Sequence, residues 1–128
     1  VICFHTTDKA DAILRNGFRD NTRLVAGVQF TGVFISDQPV TEEEGAKGDQ
    51  LLQLEFSDDV DLGPVIVGGE PHSWCVPAKL INDYATVTLL TDEERDAARE
   101  ARWSATFKAL GILRQLPQES TPPPRLEQ

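Results

Sequence analysis

Two stretches, Cys3-Phe4-His5-Thr6-Thr7 and Thr31-Gly32-Val33-Phe34-Ile35-Ser36-Asp37, decide how this 128-residue chain is read. Each is a short apolar run that ends in polar or charged residues. Aromatic and β-branched side chains dominate both, so both read as strands. Between them Ala10, Ile13 and Leu14 recur at helical spacing and give one buried stripe. Thr7 is placed to cap that helix, and Asp8 and Asp11 suit its positive end. Asn16-Gly17 stops it, with Gly17 expected in the left-handed cap conformation and Phe18 packing back. Residues 19 to 29 are polar and irregular, and a loop is expected there. The run Phe30 to Ser36 carries few charges and is expected to be buried on both faces.

Downstream, Asp37-Gln38-Pro39 turns the chain. Thr41-Glu42-Glu43-Glu44 has the form of a capping box that opens a short helix ending near Gly45 or Gly48. Leu51 to Phe56 alternates as a half-buried strand. Val65-Ile66-Val67 reads as a short strand closed by Gly68-Gly69, and Ser73 to Val76 as another. Pro77 starts a helical turn through Asn82. Tyr84 to Leu90 reads as a further strand. Thr91-Asp92-Glu93-Glu94 is a second capping box, and it starts a helix expected to reach about Gln115. Trp103, Phe107 and Leu110 form one apolar stripe on that helix, beside Ala109, Leu113 and Leu116, broad enough to dock on the domain or on a second chain. From Pro117 the Pro-rich, polar composition cannot build a core. One domain over residues 1–116 with a disordered tail over 117–128 is expected.

The length suits one core. The formal net charge is −9, which repels phosphate backbones and anionic lipid and argues against nucleic acid as a partner. No stretch approaches the roughly 20 apolar residues that cross a bilayer. No basic-plus-apolar leader is visible, so a soluble cytoplasmic protein is expected. The chain has no Met, and a trimmed start or excision from something longer is the matching expectation. Cys3 and Cys75 read as buried thiols. Cys3, His5, His72 and Cys75 lack the pair spacings of a zinc site, and no metal is expected.

His5 at a strand end can donate or accept at a ligand edge, with the hydroxyls and backbone groups of Thr6 and Thr7 beside it. It can equally steady a turn while Thr7 caps a helix. Asp37 can accept turn amides, and Phe34 can be core. The capping box can be a solvated helix start, or Glu44 can project into a cleft as general base or ribose clamp. Arg19 and Arg23, on the expected loop, can be surface residues or can meet a pyrophosphate bidentately.

The order strand, His-Thr, helix, Gly, loop, strand resembles the ADP-ribosyltransferase superfamily, in particular its diphtheria-toxin and poly(ADP-ribose) polymerase branch. His5-Thr6 is similar to the His-led end of that branch's first core strand. Gly32-Val33-Phe34-Ile35-Ser36-Asp37 is similar to its strand of the form Gly-hydrophobic-Tyr-hydrophobic-small-Asp, with Phe34 for Tyr. Leu51 to Phe56 and Trp74-Cys75-Val76 resemble the remaining core strands. Val76-Pro77-Ala78-Lys79-Leu80 looks like the segment after the last strand of the related RNA 2'-phosphotransferases. The likeness covers residues 1 to about 82.

The resemblance implies an α+β fold: a split, mostly antiparallel sheet with flanking helices, here with a C-terminal helix added. It implies NAD, as substrate, in a cleft between the strands ending at His5 and Ser36. His5 would orient ribose and amide, Phe34 would pack beneath them, and Ser36 would hydrogen-bond the carboxamide. Glu44 or Glu70 would stabilise the cation formed as nicotinamide leaves, and a protein would accept the ADP-ribose. The transferases carry Glu just before the aromatic of the final strand, where this chain has Ser73. That departure opens a second expectation, a non-catalytic, toxin-like or accessory binding module with the same fold. A third is NAD-dependent removal of a 2'-phosphate from RNA.

Overall fold

The computed structural model describes residues 1–44, 46–66 and 71–109. They form an α+β fold with six strands and three helices: β1 (Ile2–Thr7), α1 (Ala10–Asn16), β2 (Asn21–Val25), β3 (Val28–Ser36), β4 (Gln50–Glu55), β5 (Ser73–Val76), α2 (Ala78–Tyr84), β6 (Thr86–Leu89) and α3 (Asp92–Ala109). The strands run in the order β2-β3-β1-β4-β6, and β5 pairs with β3. Every strand pair is antiparallel.

Pairing along β3 is divided. Its first residues pair with β2, from Val25↔Val28 to Asn21↔Gly32, and its last four pair with β5, from Val33↔Val76 to Ser36↔Ser73. β1 meets β4 over its whole length but meets β3 at one position, Phe4↔Ser36. Beyond that position β1 and β3 part, and the sheet is split there.

Residues directly opposite each other share a face, and side chains alternate along each strand. Cys3, opposite Leu54, and His5, opposite Leu52, therefore lie on one face. Cys3, Leu52, Leu54, Val33, Ile35 and Val76 are buried there with Ala10, Phe18 and Ile81 in one apolar cluster. Ala10 and Ile81 come from α1 and α2, so the two short helices cover this face.

Several expectations are corrected. Residues 19–29 are a hairpin rather than a loop: Val25 pairs with Val28 across Ala26-Gly27, whose φ values are 52° and 81°. Two successive positive φ angles mark the tight two-residue turn whose twist matches antiparallel strands, and Thr22, Leu24, Val25, Val28 and Phe30 supply the β-prone residues. β3 thus starts at Val28; of the run Phe30–Ser36 expected to be buried on both faces, Gly32–Ser36 is buried or half-buried, while Thr31 is exposed. Gly17 has positive φ but extended ψ (84°, 172°), so it ends α1 without the left-handed cap. Thr7 Oγ1 accepts from the Lys9 amide at 3.0 Å ahead of α1, while Gln50 Oε1 takes the Ala10 amide at 3.2 Å. Glu42–Glu44 is one 3-10 turn. Val65 and Ile66 form no strand. Tyr84 ends α2 because the helical bonding runs on to Ala85 N–H, which donates to Ile81 O at 2.9 Å.

The box at Thr91 forms in both directions: Thr91 N–H donates to Glu94 Oε1 at 2.9 Å and Glu94 N–H to Thr91 Oγ1 at 3.1 Å. The turn at Gly68-Gly69, Glu70, the helix and apolar stripe beyond Ala109 and the tail from Pro117 lie outside the described residues. So does the Phe107 side chain.

Candidate functional site

His5 sits where β1 leaves β3. Its Nδ1 lies 2.8 Å from the Phe34 carbonyl oxygen. A carbonyl only accepts, so Nδ1 carries the proton and Nε2 of the neutral ring keeps its lone pair. The ring meets Phe18 edge to face, with centroids 5.3 Å apart at 80°. Burial holds the imidazole below the usual histidine range, and the bond to Phe34 opposes that in part. The ring is accordingly neutral at physiological pH. Among the described residues Arg99 Nε is the sealed side-chain polar atom that lacks a partner. The protonated Nδ1 leaves Nε2 as the acceptor of the ring.

The strand ends bring the other predicted residues to different places. Thr6, opposite Leu51, lies on the face away from His5, and its Oγ1 donates to Val40 O at 2.6 Å. Ser36 is 2% exposed, and its hydroxyl donates to Gln38 O at 2.7 Å. These two hydroxyls pin the segment after β3 against the sheet. Phe34 offers His5 its carbonyl, while its ring pairs edge to face with Phe30 at 6.3 Å and lies under the Arg23 guanidinium at 4.7 Å. An exposed cation over a phenyl face contributes about 0.5–1 kcal/mol. Arg23 and Arg19 are both exposed. Thr7 is buried and occupied by the Lys9 amide.

Glu44 is engaged elsewhere. Both of its carboxylate oxygens meet the Arg102 guanidinium, and Oε1 also accepts from Thr41 N–H at 3.1 Å. Arg102, 8% exposed, donates further to Pro39 O at 2.8 Å. The Arg102 bond, helped by Thr41, holds the Glu44 carboxyl below the ordinary glutamate range against the opposing effect of burial. Among the described residues no hydrogen bond links Glu44 to His5. The second carboxylate candidate, Glu70, is outside them.

Two groups here, Asp37 and Phe18, had only partial signals in the sequence, and a third, Arg102 beside Glu44, had none. Asp37 receives the His72 amide on Oδ1 at 3.0 Å, and its Oδ2 lies 3.1 Å from His72 Nδ1, which closes the end of the β3–β5 ladder. Phe18 was expected to pack back on the helix end, and its ring instead meets His5 on β1. Arg102 carried no signal, because its partner is 58 residues away. Two open hollows among the described residues lie along α3 and between α1 and α2, and neither is lined by His5, Phe34 or Ser36.

Comparison with protein-family models, with curated proteins and with solved structures found no match.

Proposed function

We propose that the chain binds NAD or an ADP-ribose-type ligand where β1 and β3 part, in the manner of an ADP-ribosyltransferase-like protein. The observation that carries this reading is the His5 imidazole, fixed through Nδ1 to the Phe34 carbonyl and kept unprotonated at Nε2 by burial. An acceptor of that kind suits a ribose hydroxyl. Among the described residues β1 pairs with β3 only at Phe4↔Ser36, and backbone groups at a strand end of this kind suit a carboxamide. Arg23 and Arg19 supply exposed positive charge for a pyrophosphate in a chain that is otherwise acidic. In the transferase version a carboxylate, Glu44 or Glu70, steadies the cation that forms as nicotinamide departs, and a protein accepts the ADP-ribose.

A second reading, a module that binds such a ligand without turning it over, is favoured by Glu44 being held by Arg102 and by Ser73 preceding Trp74. Titration calorimetry with NAD and with ADP-ribose tests the binding claim: His5→Ala is expected to abolish heat release, and unchanged affinity rejects the site. Release of free nicotinamide then separates the two readings, with turnover expected of the transferase and none of the module.

A further inference from the structure

The His5 ring is held on one side by a β3 carbonyl and on the other by Phe18, and Phe18 is itself held from a distant element. Asn82 of α2 accepts the Phe18 amide on Oδ1 at 2.8 Å and donates from Nδ2 to the Phe18 carbonyl at 3.0 Å. A side-chain amide that satisfies both backbone groups of one residue fixes that residue in position and in twist. The preceding Gly17 makes the approach feasible. A Cβ there would stand 3.0 Å from Asn82 Oδ1, and its φ of +84° disfavours any other residue. Phe18 is 6% exposed, so its ring has little room other than against the imidazole.

We propose that Asn82 is a positioning residue for the His5 imidazole, acting through Phe18. α2 follows β5, so the two-point amide bond ties the ring on β1 to an element 64 residues beyond Phe18 in sequence. The Phe18 ring covers one side of the imidazole while the Phe34 carbonyl fixes its tautomer. Among the described residues no charged side chain bonds to His5, so packing and this one carbonyl set its state. The consequence for ligand binding rests on the function proposed above. The consequence for the imidazole does not.

The test uses the full chain and NMR of the His5 ring. Asn82→Ala is expected to raise the His5 titration midpoint toward the ordinary histidine value and to mix its ring tautomers. Phe18→Leu, which keeps an apolar side chain but removes the ring edge, is expected to do the same and serves if the Ala variant fails to fold. NAD affinity should fall about tenfold in Asn82→Ala, because binding must then order an imidazole that the native contacts hold in place beforehand. A His5 midpoint and tautomer that ignore both Asn82→Ala and Phe18→Leu overturn the assignment. If His5 responds to them but the native chain binds no NAD, the positioning role stands and the ligand reading falls.

Discussion

Breaking the Glu44–Arg102 pair should cost more from one side than from the other. The Arg102 side chain is 9% exposed, whereas the Glu44 side chain is 28% exposed. Removing one partner of a fully buried pair costs about 3–5 kcal/mol, because a charge is left without water or a counterion. Glu44→Gln strands the deeper charge, and partial solvent access lowers its expected cost to about 2–3 kcal/mol. Arg102→Met removes that charge and leaves a carboxylate that water can reach, so about 1–2 kcal/mol is expected, including the lost bond to Pro39 O. The double variant strands no charge and should cost less than the sum, with a coupling of about 1.5 kcal/mol. The other contacts of α3 do not mask this. Asp49, which meets Arg95 and Arg99, is 65% exposed, and such exposed pairs contribute at most about 1 kcal/mol each.

Urea denaturation is the assay. A loss of 2–3 kcal/mol lowers the midpoint by about 1–2 M for a small domain. Trp103, beside Arg102 with the guanidinium 5.0 Å from its ring centre, gives a local fluorescence signal. The sign of the pH dependence follows from Glu44, whose carboxyl is held low in the folded chain. Its stabilisation is complete above the ordinary glutamate value of about 4.3 and is lost as pH falls through the lower folded value. The coupling should therefore be full at neutral pH and fade in strong acid. Strict additivity at neutral pH, or a larger cost for Arg102→Met than for Glu44→Gln, refutes the reasoning.

Three further outcomes are expected. Burial lowers the His5 proton affinity, so the unfolded chain binds more protons below the ordinary histidine value of about 6.5 and stability declines as pH drops from there toward the lower folded value. His5→Gln should flatten that part of a stability–pH curve, and an unaltered slope contradicts the neutral buried ring. Gly48 has φ +90°, and a Cβ on it would lie 2.4 Å from the Asp8 amide nitrogen, whereas Gly27 at φ +81° has open space. Gly48→Ala should cost about 2–4 kcal/mol and Gly27→Ala only about 1 kcal/mol in thermal or urea unfolding, and equal costs would disprove the close approach. The Cys3 thiol is fully buried and pushed up to about 11, chiefly by burial and also by Asp37. Native-state alkylation at mildly alkaline pH should therefore spare it and reach the partly exposed Cys75 first, and rapid loss of both thiols would contradict the packing of β1.

Much of the sheet was legible because its core strands announce themselves locally. Cys3 to Thr7, Leu51 to Phe56 and Ser73 to Val76 are apolar or alternating runs between turn residues, and the capping box at Thr91 needs four consecutive residues. The β2–β3 hairpin was not legible as such. Its turn is Ala26-Gly27 rather than Asn-Gly, and Arg23 and Gln29 dilute the alternation of a hairpin that stands largely in solvent. Pairing across the sheet supplied the order that local propensity left out.

The candidate site divides in the same way. The chain's own order of residues put His5 at a strand end, placed Phe34 and Ser36 on a second strand, and marked Gly17 as the end of a helix, because these depend on neighbours a few positions apart. Only the fold decided that His5 meets the Phe34 carbonyl rather than its ring, that Thr6 points to the opposite face, and that Glu44 answers to Arg102. Strand alternation assigns faces only once register is set, and the contacts of Arg102 and Asn82 join residues about 60 positions apart. Such pairings form when packing brings whole elements together, and no local pattern of residue types records them.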